Sequence, residues 1–150
     1  MKVAEIMNRA PLSLRDDETF GSAFERLRDA QVTTIPVVDA DGVYEGIFDL
    51  KDIWRLLLPR AAHLNRNSIE DLSFVSSSLD RMKDEISEAA PLPIRQFLTA
   101  DDLPVVYADS PVQQAILLID KYGETVAVVD RQTRKLVGTV SAWQILDALR

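Results

Sequence analysis

The stretch "IPVVDADGVYEGIFDLKDIW", residues 35–54, decides the fold. Ile35-Pro36-Val37-Val38-Asp39 is an apolar, largely β-branched run, and Asp41-Gly42 is a turn signal. Tyr44, Gly46, Ile47 and Phe48 read as a second strand, so the pair predicts a β-hairpin. A helix is expected from Leu50 to about Leu58, because Pro59 disfavours helical geometry in the residue before it. Two carboxylates, Asp49 and Asp52, stand at the start of that helix, three residues apart.

Working outward, the same order of elements occurs twice, and repeats are the first feature to establish. Before the hairpin, Phe20, Ala23, Phe24 and Leu27 have the spacing of an amphipathic helix, with Asp17 as its expected cap. Downstream, Ser110-Pro111 reads as a cap and first-turn proline for a helix carrying Val112, Ala115, Ile116 and Ile119, stopped by Gly123. Strands are expected at 126–130 and 136–140, and a last helix at 142–149. Phe20 and Val112, Ala23 and Ala115, Leu27 and Ile119, and Gly46 and Gly138 are each 92 apart. In the strand the offset is 91, as in Pro36 to Ala127 and Asp39 to Asp130. Strand-like pieces at Leu12 to Leu14 and Val105 to Tyr107 precede the two first helices, behind the lead-ins "VAEIMN" (3–8) and "IRQFLT" (94–99). The unit is β-α-β-β-α, written twice.

That tandem unit resembles the cystathionine-β-synthase (CBS) domain, and two copies resemble a CBS pair, or Bateman module. The marks are the hydrophobic-Pro-Val-Val-Asp strand and the Gly-hydrophobic-hydrophobic-x-x-x-Asp turn into a helix. The first unit carries both; the second has Ala127 for the proline and Gln144 for the aspartate. The resemblance implies an α+β fold of two CBS units packed pseudo-symmetrically through their sheets. The units are placed at 1–58 and 94–150, with a linker at 59–93. It also implies a regulatory module, often dimeric, that binds an adenosyl ligand (AMP, ADP, ATP or S-adenosylmethionine) in the clefts between units.

Carried over residue by residue, the first cleft draws on Leu12, Ile35, Pro36, Val37, Asp49, Lys51 and Asp52. The second draws on Val105, Val126, Ala127, Ser141 and Gln144. Asp52 holds the place whose carboxylate accepts from both ribose hydroxyls, a role suited to a group that only accepts. Asp49 stands where the family commonly has Thr or Ser donating to a phosphate at a helix N-terminus. A carboxylate there repels phosphate, unless Lys51, Arg55 and the helix dipole offset it or Mg²⁺ bridges it. The second unit reverses the defect: Ser141 keeps the hydroxyl, and Gln144 replaces the ribose carboxylate. A second reading stands beside this one. Asp49-x-x-Asp52 and Ser141-x-x-Gln144 both have the spacing of an N-cap and its N3 partner, which needs no ligand.

The remaining composition narrows the function. The 150 residues are 47% hydrophobic and 27% charged, with net charge −7 and no cysteine. Such a balance disfavours nucleic-acid and anionic-membrane partners. The absence of thiols excludes disulfides and thiolate metal sites. A cytoplasmic location is expected, as no signal-peptide or membrane-length apolar run occurs. No Gly-rich phosphate loop and no nucleophile or acid–base set emerges, so no catalysis is expected; His63, the only histidine, is read as a solvated linker residue. Within the linker, "LDRMKDEISEAA" (79–90) predicts a short helix with Leu79, Met82 and Ile86 on one side. Trp143, beside Gln144 and at the place matched by Lys51, is expected to pack as core, with filling of the second cleft as the alternative. "IWRLLL" (53–58) and "AILLI" (115–119) are apolar over most of their circumference, which predicts cover by a second copy of the chain. Output is then expected through a separate effector protein or between subunits. The alternative function is a dimerisation or docking module that binds nothing small.

Overall fold

Eleven regular elements follow the expected order in the computed structural model, which describes residues 1–58, 79–98, 104–123 and 125–150. His63 lies outside the described residues, as does the rest of 59–78. The first repeat comprises β1 (Leu14–Arg15), α1 (Phe20–Ala30), β2 (Thr34–Val38), β3 (Tyr44–Asp49) and α2 (Leu50–Leu57). A linker helix, α3 (Leu79–Ala89), leads to the second: β4 (Val105–Val106), α4 (Val112–Tyr122), β5 (Thr125–Val129), β6 (Leu136–Ser141) and α5 (Ala142–Ala148). Short 3-10 turns at Val3–Glu5 and Ile94–Phe97 form the two lead-ins. Each repeat makes a three-stranded sheet, β1-β2-β3 and β4-β5-β6, with the first pair parallel and, in the second repeat, the hairpin antiparallel.

The strand register corrects one expectation. Leu14 pairs with Val37 and Val106 with Val128, so Leu14 matches Val106. Both are fully buried, whereas Leu12 precedes the strand and is 43% exposed. Two caps also differ. Thr19, not Asp17, caps α1, its hydroxyl accepting from the Ser22 N–H. Ser110 does not cap α4; Pro111 takes that place, and Ser110 Oγ accepts from the Tyr107 N–H at 3.0 Å. Proline lacks a side-chain acceptor, so the serine tightens the preceding turn instead.

The matched aspartates of the two hairpins shape their turns. Asp39 Oδ1 accepts from the N–H groups of Asp41 and Val43, and Asp130 Oδ1 from those of Gln132 and Thr133. The two backbone donors, Thr133 first, hold the Asp130 carboxyl below the usual carboxylate range. Gly42, at φ 85°, takes the left-handed position the first turn requires.

The described chain divides into two compact units, Met1–Asp16 with Ile35–Ile47 and Leu98–Arg150, and Asp17–Thr34 with Phe48–Phe97. The division follows from how the lead-ins dock. In the first unit the N-terminal lead-in lies on the second repeat: Val3 N–H donates to the Ser110 carbonyl at 2.9 Å, and Ala4 N–H to that of Ala108 at 2.8 Å. Asn8 bridges to Thr139, and Gly138 is required there, since a Cβ would stand 2.7 Å from the Asn8 carbonyl oxygen. Val3 joins Val106, Val112, Ala115, Val126, Val128, Val140 and Ile145 in one core. The sheets of the two repeats meet in this unit too. Val43 bridges to Lys135, Tyr44 N–H donates to the Arg134 carbonyl, and Tyr44, Ala127 and Val129 form a second buried cluster.

In the second unit, the segment after α3 closes the start of α1. Phe20 N–H donates to the Leu92 carbonyl at 2.8 Å and Gly21 N–H to that of Ala90 at 3.0 Å, which satisfies two donors a helix start leaves open. The second lead-in follows: Ile94 N–H donates to the Glu18 carbonyl, and Phe97 lies against Phe20, which also meets Phe48 edge-on. Helix α3 turns Ala89 inward and leaves Met82 and Ile86 half-buried, but Leu79, expected with them, is 66% exposed.

Candidate functional site

The β3–α2 junction carries the first set of residues. Asp49 is extended and caps α2, its Oδ1 accepting from the Lys51 N–H at 2.9 Å. Asp52 Oδ2 accepts from the Asp49 N–H at 3.0 Å, which completes a capping box. The other Asp52 oxygen lies 3.8 Å from Arg55, and the Asp52 side chain is only 16% exposed. Burial pushes its carboxyl above the usual value, with the Asp49 charge adding to the rise; the Asp49 N–H and Arg55 oppose it. The capping bond uses one of the roughly four lone-pair sites of a carboxylate. Asp49, Lys51 and Asp52 belong to one compact unit, and Leu12, Ile35, Pro36 and Val37 to the other. Ile35, Pro36 and Val37 are buried in β2.

The second set lies within a single unit and is brought together by its sheet. Val105 pairs with Ala127, Val126 with Val140, and Thr125 with Ser141. Ser141 Oγ accepts from the Gln144 N–H at 3.3 Å, while Gln144 Oε1 accepts from the Ser141 N–H at 2.8 Å. The only acceptor atom of the Gln144 side chain is therefore engaged by the cap. Val126 and Ala127 are both buried, and as neighbours on a strand they enter different clusters. Trp143, expected as core, is instead 75% exposed.

Two features escaped the sequence reading. At the far end of β5 from Ser141, a cleft of about 530 Å³ is lined by Met7, Arg9, Tyr107, Asp109, Asp130 and Arg131, among others. There the Arg131 guanidinium lies 4.0 Å over the Tyr107 ring and donates to Asp109 Oδ1 at 2.9 Å, while Arg134 donates to Tyr107 Oη at 3.0 Å. The second feature is Tyr44, which is 6% exposed and whose hydroxyl has no hydrogen-bond partner among the described residues. The replacement of an aliphatic residue by tyrosine at a repeated position (Leu136 is its match) was the available signal. Among the described residues no three His, Asp or Glu side chains are grouped to hold a metal ion, and no helix is long and apolar enough to cross a membrane.

The CBS domain family matches this sequence twice, at residues 3–57 and 94–150, and the chain belongs to that family. Its fold is that of a CBS pair. Among solved structures, a CBS domain-containing protein of unknown function from Kribbella flavida DSM 17836 is 20% identical with a TM-score of 0.73, covering 99% of this chain and 98% of that one. CBSX2 in complex with AMP is 20% identical with a TM-score of 0.69, over 99% and 95% of the two chains. The CBS domain pair of protein MJ0100, in complex with 5-methylthioadenosine and S-adenosyl-L-methionine, is 20% identical with a TM-score of 0.65, again over 99% and 95%. At these identities the likeness is one of fold. No curated protein matches the sequence.

Proposed function

We propose that the chain is a non-catalytic, ligand-sensing CBS pair that binds an adenosyl compound, with AMP, ADP, ATP and S-adenosylmethionine as the candidates. Asp52 carries this reading: a carboxylate shielded from solvent whose capping bond leaves most of its acceptor capacity unspent. The adenosyl complexes of the two similar structures named above support the ligand class. Asp49 sets a preference within it. With no proton to donate and a negative charge, it favours ligands without a phosphate at that position, such as adenosine or the cationic S-adenosylmethionine, unless Mg²⁺ accompanies the phosphate. The working units are 1–58 and 94–150, joined by 59–93. Binding shifts the conformational balance of the pair and is read by a cytoplasmic effector protein or by a second copy of the chain. Exposed Leu117, Trp143, Leu146 and Leu149 supply the apolar face for a homodimer.

A thermal-shift series with AMP, ADP, ATP, adenosine and S-adenosylmethionine, each with and without Mg²⁺, tests the reading. A ligand at about 100 times its Kd stabilises by about 2.7 kcal/mol, which moves the midpoint of a domain this size by several degrees. A shift that disappears in Asp52→Ala is expected. The closed capping box of Ser141 and Gln144 favours a second reading, a docking module without a small ligand; no shift with any compound would establish it over the first.

A further inference from the structure

The cleft at the turn end of β5 sets charges of both signs beside an apolar lining, and the first repeat serves as its internal control. Its volume of about 530 Å³ falls within the range of about 300–1,000 Å³ usual for small-molecule sites. Met7, Val129 and Val137 supply the apolar lining; Arg9, Arg131, Asp109 and Asp130 supply the charges. The polar side chains are held in place: Arg131 lies 4.0 Å over the Tyr107 ring and donates to Asp109 Oδ1, and Arg134 donates to Tyr107 Oη. A hairpin of this kind does not need that network. At the matched positions the first repeat has Arg15 for Tyr107, Ala40 for Arg131 and Gly42 for Arg134, and its turn still closes on Asp39. Arg134 takes φ 61°, a left-handed position that Gly42 fills in the first repeat without steric strain. The Arg131–Asp109 pair is exposed, and such pairs contribute little to stability. Arg131 holds the Asp109 carboxyl below the usual carboxylate range, as the turn N–H groups hold that of Asp130, so both are ionised at neutral pH. Arg9 donates to the Ala4 carbonyl and meets no carboxylate among the described residues.

We propose that this cleft, at the opposite end of β5 from Ser141, is a separate ligand site that takes a zwitterionic α-amino acid with an apolar side chain. Two arginines against two aspartates leave the cleft without net charge, which suits a ligand carrying one charge of each sign. Arg9 receives the carboxylate, because most of its donors are unengaged and a guanidinium meets a carboxylate as a bidentate fork. Asp109 and Asp130 receive the ammonium, as groups that only accept. Arg131, held on Tyr107, positions Asp109 for that role. The apolar side chain of the ligand lies against Met7, Val129 and Val137. A simple carboxylate would leave both aspartates unanswered, and a simple amine would leave Arg9 so. The inference does not depend on Asp52 or on the adenosyl reading.

The test is an isothermal titration of L-leucine, L-methionine and L-phenylalanine into the full chain, each beside its own deaminated acid and its decarboxylated amine. At least one amino acid should bind saturably, and its acid and amine at least about tenfold more weakly. Arg9→Gln and Asp109→Asn should each weaken that binding about tenfold. Both variants change exposed side chains and should melt with the parent chain. Asp52→Asn, in the other compact unit, should leave amino-acid binding unchanged. No binding of any of the three overturns the inference, as does an acid or amine that binds as tightly as its amino acid. Unchanged affinity in either Arg9→Gln or Asp109→Asn, or loss of binding in Asp52→Asn, overturns it too. Adenosine titrated alongside keeps the two readings apart: its binding or failure to bind bears on the adenosyl site alone.

Discussion

Asp52 serves a helix cap with one oxygen, and the proposed ligand role rests on the acceptor capacity that this bond leaves. Its Oδ2 closes the cap on the Asp49 N–H, while burial raises its pKa above the ordinary 3.8. A carboxyl whose folded pKa stands above its unfolded value binds more protons folded than unfolded. Its contribution to stability is thus fully present below about the unfolded value and is lost as pH rises through the raised one. Asp52→Asn keeps a capping oxygen and removes the charge. The melting point of this variant relative to the parent should therefore climb as pH is raised from the acid side to neutrality; a flat difference across that range would contradict the assignment. Asp49→Thr, which restores a donor, should raise affinity for AMP relative to adenosine, checked by titrating both ligands.

Among the elements, the matched positions were legible because side chains mark them. Apolar spacing gives α1 and α4, and the hairpin aspartates at 39 and 130 recur because each ties down two backbone N–H groups. Both capping boxes were legible from their spacing for the same reason. The docking of each lead-in on the other repeat was not legible. Its bonds run between backbone groups, as from Val3 to Ser110 and from Ile94 to Glu18, and such bonds leave no side-chain signature. Gly138 is the one trace, since the Asn8 carbonyl leaves no room for a Cβ. Gly138→Val should destabilise by about 1–3 kcal/mol through overpacking, measured by urea unfolding. A change within about 0.5 kcal/mol, the range of ordinary surface substitutions, would mean the lead-in contributes little. Ser141→Ala should cost about 1 kcal/mol by loss of the cap.

On the scale of the whole molecule, the proposed homodimer rests on exposed apolar side chains. Leu117 at 68% and Trp143 at 75% lie on α4 and α5 of the same compact unit, with Leu146 and Leu149 beside Trp143 in sequence. Trp143 was misread as core because aromatic residues on a helix read alike whether the chain or a partner covers them. If this face joins two copies, Leu117→Asp with Trp143→Asp should sediment as a monomer and melt no lower per chain, while the parent sediments as a dimer. Parent and variant sedimenting alike as monomers would remove the dimer from the account. The most direct test of the central claim is an isothermal titration of S-adenosylmethionine into the full chain and into Asp52→Asn, which retains the helix cap. Saturable binding by the parent that falls at least about tenfold in the variant is the predicted result. Equal binding by both, or none by the parent, would contradict the assignment of Asp52 to an adenosyl ligand.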